Sequence, residues 1–346
     1  MSVITVCCAY KPNKNGLKRA SADGTSSEIV MDVASNRVLF ENNARSKKFM
    51  ASTTKILTAI TVIENVDINK EIIVTEKTVG IEGSSIYLEE GEKLTVKDLL
   101  FGLMLRSGND CAETLALSYN GNRDDFIVLM NQTAKKIGAL NSNFTNPHGL
   151  HDDNHYTTAF DLALISCYAM KNEVFREIVG TKTVTIPHTT REYDRRLVNK
   201  NKLLFNLEGA TGIKTGFTKK AGRCLVSSIK KDDLELVCVV LNCSPMFERS
   251  TELLTNYSTQ YANYKLFESD EIVGFCETLG EDKCGLYVKN DVILPLSKNE
   301  RESLEIVYDY PKTISWLKKD SEVGKIMIYV ENNLIFEEKI YTIIDT

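Results

Sequence analysis

In residues 56–63, the apolar side chains Ile56, Leu57, Ala59, Ile60, Val62 and Ile63 fall on nearly every side of a helical projection. A helix that is apolar all round has no face to offer water, so it needs a core around it. With 346 residues the chain can supply one, as a large domain accompanied by a smaller one. The helix begins near Ser52 despite its β-branched content, which puts that serine at a helix N-terminus, where developing negative charge is favoured.

Around this helix the pattern alternates between strands and helices. Residues 28–33 and 37–40 read as a hairpin turned by Ala34-Ser35-Asn36. Thr95-Val96-Lys97-Asp98 resembles a capping box that opens a helix through Leu99, Leu100, Leu103 and Leu105, and residues 110–117 read as another helix. A further helix is expected over 158–168, strands over 223–229 and 234–242 joined by Lys230-Lys231-Asp232-Asp233, and a closing helix over 248–264. Short strands follow at 284–288, 292–296, 304–308 and 325–330, which sets a boundary near residue 268. The expected division is an N-terminal segment 1–23, a large domain 24–267 and a β-rich domain 268–346.

Composition removes several classes of function. With 42 Lys+Arg against 47 Asp+Glu and a net charge of −5, the chain lacks the basic footprint of a nucleic-acid binder. No run approaches the roughly 20 apolar residues that span a bilayer, so no membrane anchor is evident. Val3-Ile4-Thr5-Val6-Cys7-Cys8-Ala9 has the composition of the tail of a signal-peptide core, but no Lys or Arg precedes it, and the targeting signal is incomplete. The nine cysteines contain no Cys-x-x-Cys pair, which points to neither a zinc ribbon nor a disulfide framework.

Three short signatures carry the chemistry: Ser52-Thr53-Thr54-Lys55, Ser107-Gly108-Asn109 and Lys214-Thr215-Gly216. A serine hydroxyl is a poor nucleophile until a base lies within hydrogen-bond reach. Lys55, three residues after Ser52 on a helix, shares its face, and a buried lysine can lose its proton near neutrality. Taken singly the patterns are weak: Ser-x-x-Lys recurs at Ser227, Ser228 and Ser315, and Ser-x-Asn at Ser118 and Ser297. Lys-Thr-Gly occurs once, and the set at 52, 107 and 214 has both order and context: helix start, inter-helix loop, strand edge.

The surrounding sequence resembles the serine D-alanyl-D-alanine carboxypeptidases, the low-molecular-mass penicillin-binding proteins. The likeness extends over Ala51–Thr58, Leu105–Asp110, Asn146-Pro147-His148-Gly149-Leu150, Thr157–Asp161 and Gly212–Thr218. It implies an α/β (α+β) penicillin-binding-protein/β-lactamase-like domain, with an antiparallel sheet flanked by helices and a small C-terminal β-rich domain. By the same resemblance, Ser52 attacks the penultimate D-Ala carbonyl and Lys55 acts as base. Ser107 relays a proton to the leaving amine, and Asn109 holds the substrate amide and Lys55. Lys214 and Thr215 bind the terminal carboxylate, Gly216 leaves room for substrate, and the backbone N–H groups of Ser52 and Phe217 form the oxyanion hole. Arg249 resembles the family's additional carboxylate-binding arginine.

The implied partner is a peptidoglycan stem peptide ending in D-Ala-D-Ala, with β-lactams as acylating inhibitors, no cofactor, no metal, and a location outside the cytoplasm in the envelope or secreted. One alternative is a β-lactamase, but residues 141–172 contain no Glu-x-x-x-Asn loop to direct water onto the ester. The others are a penicillin sensor and a non-catalytic envelope scaffold. His148, His151 and His155 with Asp152 and Asp153 are numerous enough to hold zinc, but they read as ordinary hydrogen-bonding residues of a loop. Trp316, Tyr308 and Tyr310 read as core aromatics of the small domain rather than a docking patch.

Overall fold

The computed structural model describes residues 26–278, 283–314 and 318–343. Two compact units form, one running up to Ser258 and the other from Thr259.

The larger unit is organised by five antiparallel strands: β1 (Ser27–Asp32), β2 (Val38–Asn42), β3 (Ala210–Thr218), β4 (Gly222–Lys231) and β5 (Leu234–Leu241), in the order β2-β1-β5-β4-β3. Every residue of β5 is buried, which is why it reads as a nearly unbroken apolar run instead of alternating. The main helices of this unit are α1 (Lys55–Asn65), α2 (Val96–Phe101), α3 (Asn109–Ser118), α4 (Arg123–Ile137), α5 (Ala159–Met170), α6 (Glu173–Gly180) and α7 (Met246–Gln260). Helix α5 lies against β1 and β5, and α1 is enclosed by α3, α4 and α5. Lys55 to Val62 are all buried, so the helix that is apolar all round lies inside the unit. The capping expectation holds, with Thr95 and Asp98 forming a reciprocal box, and the Thr158 hydroxyl also caps α5 by accepting from Asp161 N.

In the smaller unit the strands are β6 (Tyr261–Phe267), β7 (Ile272–Thr278), β8 (Lys283–Tyr287), β9 (Val292–Ser297), β10 (Leu304–Asp309), β11 (Thr313–Ile314), β12 (Glu322–Val330) and β13 (Asn333–Thr342). Six of them form the sheet β10-β12-β13-β8-β7-β11, and β6 pairs with β9. Leu286, Val288, Leu294, Ile326, Ile328 and Ile340 belong to its core.

Two expectations shift. The closing helix ends at Gln260 rather than 264, because Tyr261–Phe267 pairs antiparallel with Val292–Ser297 and so belongs to the β unit. The division therefore falls at Ser258/Thr259 and not near 268. Cross-strand pairing outweighs local helix propensity here. The cysteines from Cys111 to Cys284 are free and buried, while Cys7, Cys8 and Trp316 lie outside the described residues, as does the segment 3–9.

Candidate active site

Ser52 lies in a 3₁₀ turn, Ala51–Thr54, that feeds directly into α1. Side chains tighten the turn: Thr53 Oγ1 donates to Met50 O at 2.7 Å, Thr54 Oγ1 donates to Ala51 O at 2.9 Å, and Thr54 Oγ1 also meets His155 Nε2 at 2.7 Å. The 3₁₀ turn runs on into α1, so Lys55, on the first turn of that helix, reaches back to the serine. Its Nζ stands 3.3 Å from Ser52 Oγ. The same nitrogen donates to Asn109 Oδ1 at 2.7 Å and to the carbonyl of His148 at 2.6 Å.

Those two acceptors are themselves held. Asn109 opens α3, its backbone N–H donating to Ser84 O at 2.7 Å and its Nδ2 to Glu82 O at 2.5 Å. The neighbouring Asp110 carboxylate accepts from Ile86 N and Leu88 N, each at 3.1 Å, and fixes that loop against α3. His148 donates from Nε2 to Glu113 at 3.0 Å and accepts Leu150 N–H on Nδ1 at 3.1 Å. Arg123 completes the chain, its Nε 2.8 Å from Glu113. Gly149 permits the turn: at φ +90° its position would put a Cβ 1.9 Å from Ala51 O.

Ser107 ends the π-helical turn Gly102–Arg106 in a left-handed conformation, φ +66°, that directs the chain into α3. It is buried, and its hydroxyl has no hydrogen-bond partner among the described residues. From the sheet, β3 presents Lys214, whose buried Nζ donates to Thr215 O at 3.0 Å and to no other acceptor among the described residues. Gly216 faces the serine turn. A Cβ there would lie 3.1 Å from Ser52 N and 3.1 Å from Met50 O, so glycine is what lets the strand approach Ser52.

Burial sets the electrostatics. Desolvation of the enclosed Lys55 amine pushes its pKa down from 10.5 to about 7, against partial recovery from Asp110 and Glu113. Lys214 is also held well below the usual lysine range, first by desolvation and then by repulsion from Lys55 and Lys200. Lys200 itself is lowered by burial and by Arg106, and it donates to Ser84 Oγ at 3.2 Å. Three lysine amines thus lie close enough to repel one another, and no carboxylate is bonded to any of them among the described residues.

Ser52, Lys55 and Asn109 are thus in direct contact, and Gly216 packs on the turn that carries Ser52. Thr215 is half-buried on the same strand, and Phe217 is exposed with Arg223 5.6 Å from its ring centre. Arg249 is engaged elsewhere. Its buried guanidinium is 2.8 Å from Glu28 on β1 and 2.9 Å from Glu252, so the carboxylates it meets belong to the protein. Burial works against its charge, but these two partners outweigh it and raise the pKa. That ion pair is invisible in the sequence, because Glu28 and Arg249 are joined only when α7 packs on β1. His155 is likewise enclosed, lowered to about 3 by desolvation, with Thr145 N donating to its Nδ1. The residues missed by sequence reasoning are the His148 carbonyl, Glu113, Arg123 and Lys200. The motif Asn146-Pro147-His148-Gly149-Leu150 was the available signal for the first of these.

Residues 17–245 match the D-alanyl-D-alanine carboxypeptidase family of S11 peptidases, and residues 261–345 match the C-terminal domain of penicillin-binding protein 5. The chain belongs to this carboxypeptidase family. Among curated relatives, D-alanyl-D-alanine carboxypeptidase DacF of Bacillus subtilis is 30% identical over 333 residues, covering 88% of this chain and 85% of the relative. The Streptomyces K15 DD-transpeptidase structure is 31% identical, with a TM-score of 0.62 over 67% of this chain and 95% of that one. Penicillin-binding protein 5 of Haemophilus influenzae shares the fold, with a TM-score of 0.84 at 24% identity, covering 95% of this chain and 98% of that one. The carboxypeptidase thus has the antiparallel sheet, flanking helices and β-rich C-terminal module that its sequence resemblance implies.

Proposed function

We propose that the carboxypeptidase removes the terminal D-Ala from peptidoglycan stem peptides through an acyl-enzyme on Ser52. The observation that carries this reading is the environment of Lys55. A neutral amine has two N–H groups and one lone pair, and Asn109 Oδ1 and the His148 carbonyl take both N–H groups. The lone pair is left for Ser52 Oγ, 3.3 Å away. With a pKa near 7, the amine is in the neutral form for a large part of the time at physiological pH.

In the first step the Ser52 proton passes to Lys55 as Oγ bonds to the penultimate D-Ala carbonyl carbon. Backbone N–H groups of Ser52 and Phe217 would receive the oxyanion. Collapse breaks the C–N bond as Ser107 passes its proton to the departing D-Ala amine and takes back the proton held by Lys55, which leaves Lys55 neutral again. Water then enters, gives up its proton to the same base, and releases the shortened peptide with Ser52 restored. Lys214, buried without a bonded carboxylate among the described residues and next to Thr215, is the amine that the free terminal carboxylate of the substrate would hold protonated and pair with. β-Lactams enter the same sequence, but their acyl group is released slowly. The substrate is extracytoplasmic, so the site of action is the cell envelope or beyond it.

Replacing Ser52 by Ala should abolish both penicillin labelling and D-Ala release while the protein stays folded. Normal labelling of Ser52→Ala would overturn the nucleophile assignment. Lys214→Ala should instead weaken substrates that carry a free terminal carboxylate, with penicillin labelling less affected than peptide hydrolysis.

A further inference from the structure

Close to the serine turn is a cavity of about 450 Å³ lined by Lys47, Lys48, Lys220, Asp153, Phe49 and Tyr156. In a chain whose net charge is −5, it gathers three ammonium groups around one carboxylate. That carboxylate is already directed elsewhere, with Asp153 Oδ1 3.2 Å from His151 Nε2. Lys47 Nζ stands 4.1 Å from the centre of the Tyr156 ring, and Lys220 has no ion-pair partner among the described residues. The pocket thus offers an excess of positive charge beside aromatic walls.

Its position relative to the chemistry follows from two chain segments. Residues 47–49 lead into Met50, whose carbonyl and Ser52 N both lie 3.1 Å from the place a Cβ would occupy on Gly216. Lys220 and Ala221 follow β3, the strand that carries Gly216, and Cys224 Sγ returns to within 4.0 Å of Phe49 O. The two walls of the cavity therefore extend from the point where β3 meets the nucleophile turn. On the proposed mechanism, the substrate's terminal carboxylate meets Lys214 and Thr215 and its scissile carbonyl meets the N–H groups of Ser52 and Phe217. An extended peptide advances about 3.3 Å per residue along a strand, so on that mechanism the residues preceding the scissile bond would run past Thr218 towards the end of β3 that leads into Lys220.

We propose that the cavity is a subsite for a carboxylate borne by the donor peptide upstream of its terminal D-Ala-D-Ala, a reading that rests on Ser52 as the nucleophile. Lys47 and Lys220 supply the attraction, and Phe49 and Tyr156 the apolar walls for the aliphatic part of the same residue. Because the ammonium groups are exposed, each contributes a few-fold, and together they favour the free acid by roughly tenfold at low salt and less as salt is added.

The test uses two synthetic donors ending in D-Ala-D-Ala that differ only in an upstream side chain, one a free carboxylate and the other its carboxamide. D-Ala release by wild type should favour the free acid roughly tenfold in kcat/KM at low salt. The Lys47→Gln/Lys220→Gln protein should lose that preference yet keep the wild-type rate on the carboxamide. Its acylation by benzylpenicillin, located by peptide mass spectrometry, should be unchanged. Equal use of both donors by wild type, or a preference that survives the double substitution, overturns the subsite while a label on Ser52 leaves the nucleophile standing. A wild-type label found on another residue overturns the nucleophile assignment, and the subsite geometry with it.

Discussion

Acylation of Ser52 should rise with pH along the titration of Lys55, and the enclosure of that amine fixes where the rise falls. With its pKa lowered from 10.5 to about 7 by desolvation, roughly half the protein carries the neutral base at pH 7. About a tenth does so at pH 6, and about a hundredth at pH 5. The second-order rate of labelling by a fluorescent penicillin should therefore fall about tenfold per pH unit below 6 and level off above 8. The same burial has a cost in stability. Between pH 7 and 10.5 the unfolded chain holds the Lys55 proton and the folded one does not, so this group makes the protein more stable as pH rises through that window. Below it the amine is charged in both states and the full penalty, roughly 5 kcal/mol at about 1.4 kcal/mol per pH unit, is present. Lys55→Met removes that penalty but leaves the Asn109 and His148 acceptors without their donor, at about 1–3 kcal/mol each. The two effects nearly cancel, so the variant should be folded, close to wild type in urea midpoint below pH 7, and unreactive towards penicillin. A labelling rate flat from pH 5 to 8, or one whose inflection lies near the ordinary lysine value, would refute the assignment of Lys55 as the base.

Other perturbations separate the parts of the site. Gly149→Ala forces a Cβ against Ala51 O at a left-handed φ, and should lower stability by about 3 kcal/mol or more in urea titration, with loss of acylation. Gly216→Ala meets atoms at 3.1 Å that need yield only slightly, so the urea midpoint should hold while acylation falls by an order of magnitude, roughly, as the strand moves off the nucleophile turn. Glu113→Gln removes a negative charge that favours protonated Lys55, so the inflection in the labelling profile should move a few tenths of a pH unit downward; an upward move would contradict that electrostatic role. Glu28→Gln leaves Arg249 with Glu252 alone and should cost about 3 kcal/mol with unchanged kcat/KM; unchanged stability with a raised KM for carboxylate substrates would return Arg249 to a substrate-binding role.

Ser52, Lys55, Ser107, Asn109 and Lys214 could be singled out as candidates because each sits in a short segment whose local pattern is itself encoded. The apolar run after Lys55 demands a buried helix, Ser107-Gly108-Asn109 breaks two helical patterns, and Lys214-Thr215-Gly216 reads as preceding or entering a strand, where the structure has it inside β3. Where neighbours in space decide, the reading departs from the structure. Residues 261–264 have enough helix character to extend α7, but Val292–Ser297 draws them into a sheet. Arg249 carries a charge suited to substrate, and Glu28, more than two hundred residues earlier, takes it.

Taken alone, the sequence determined several elements, among them the buried helix after Ser52, the capped helix after Thr95 and the paired strands before residue 242, and it singled out a candidate nucleophile and base, because helix and strand periodicities and caps are properties of neighbouring residues. Only the tertiary structure brings the Lys55 amine to a pKa near neutrality. Its pKa depends on complete removal from water and on acceptors from α3 and the His148 turn, which no local pattern specifies. The same holds for the approach of Gly216 to Ser52, since a glycine's missing side chain acquires meaning only when another segment occupies the space it leaves.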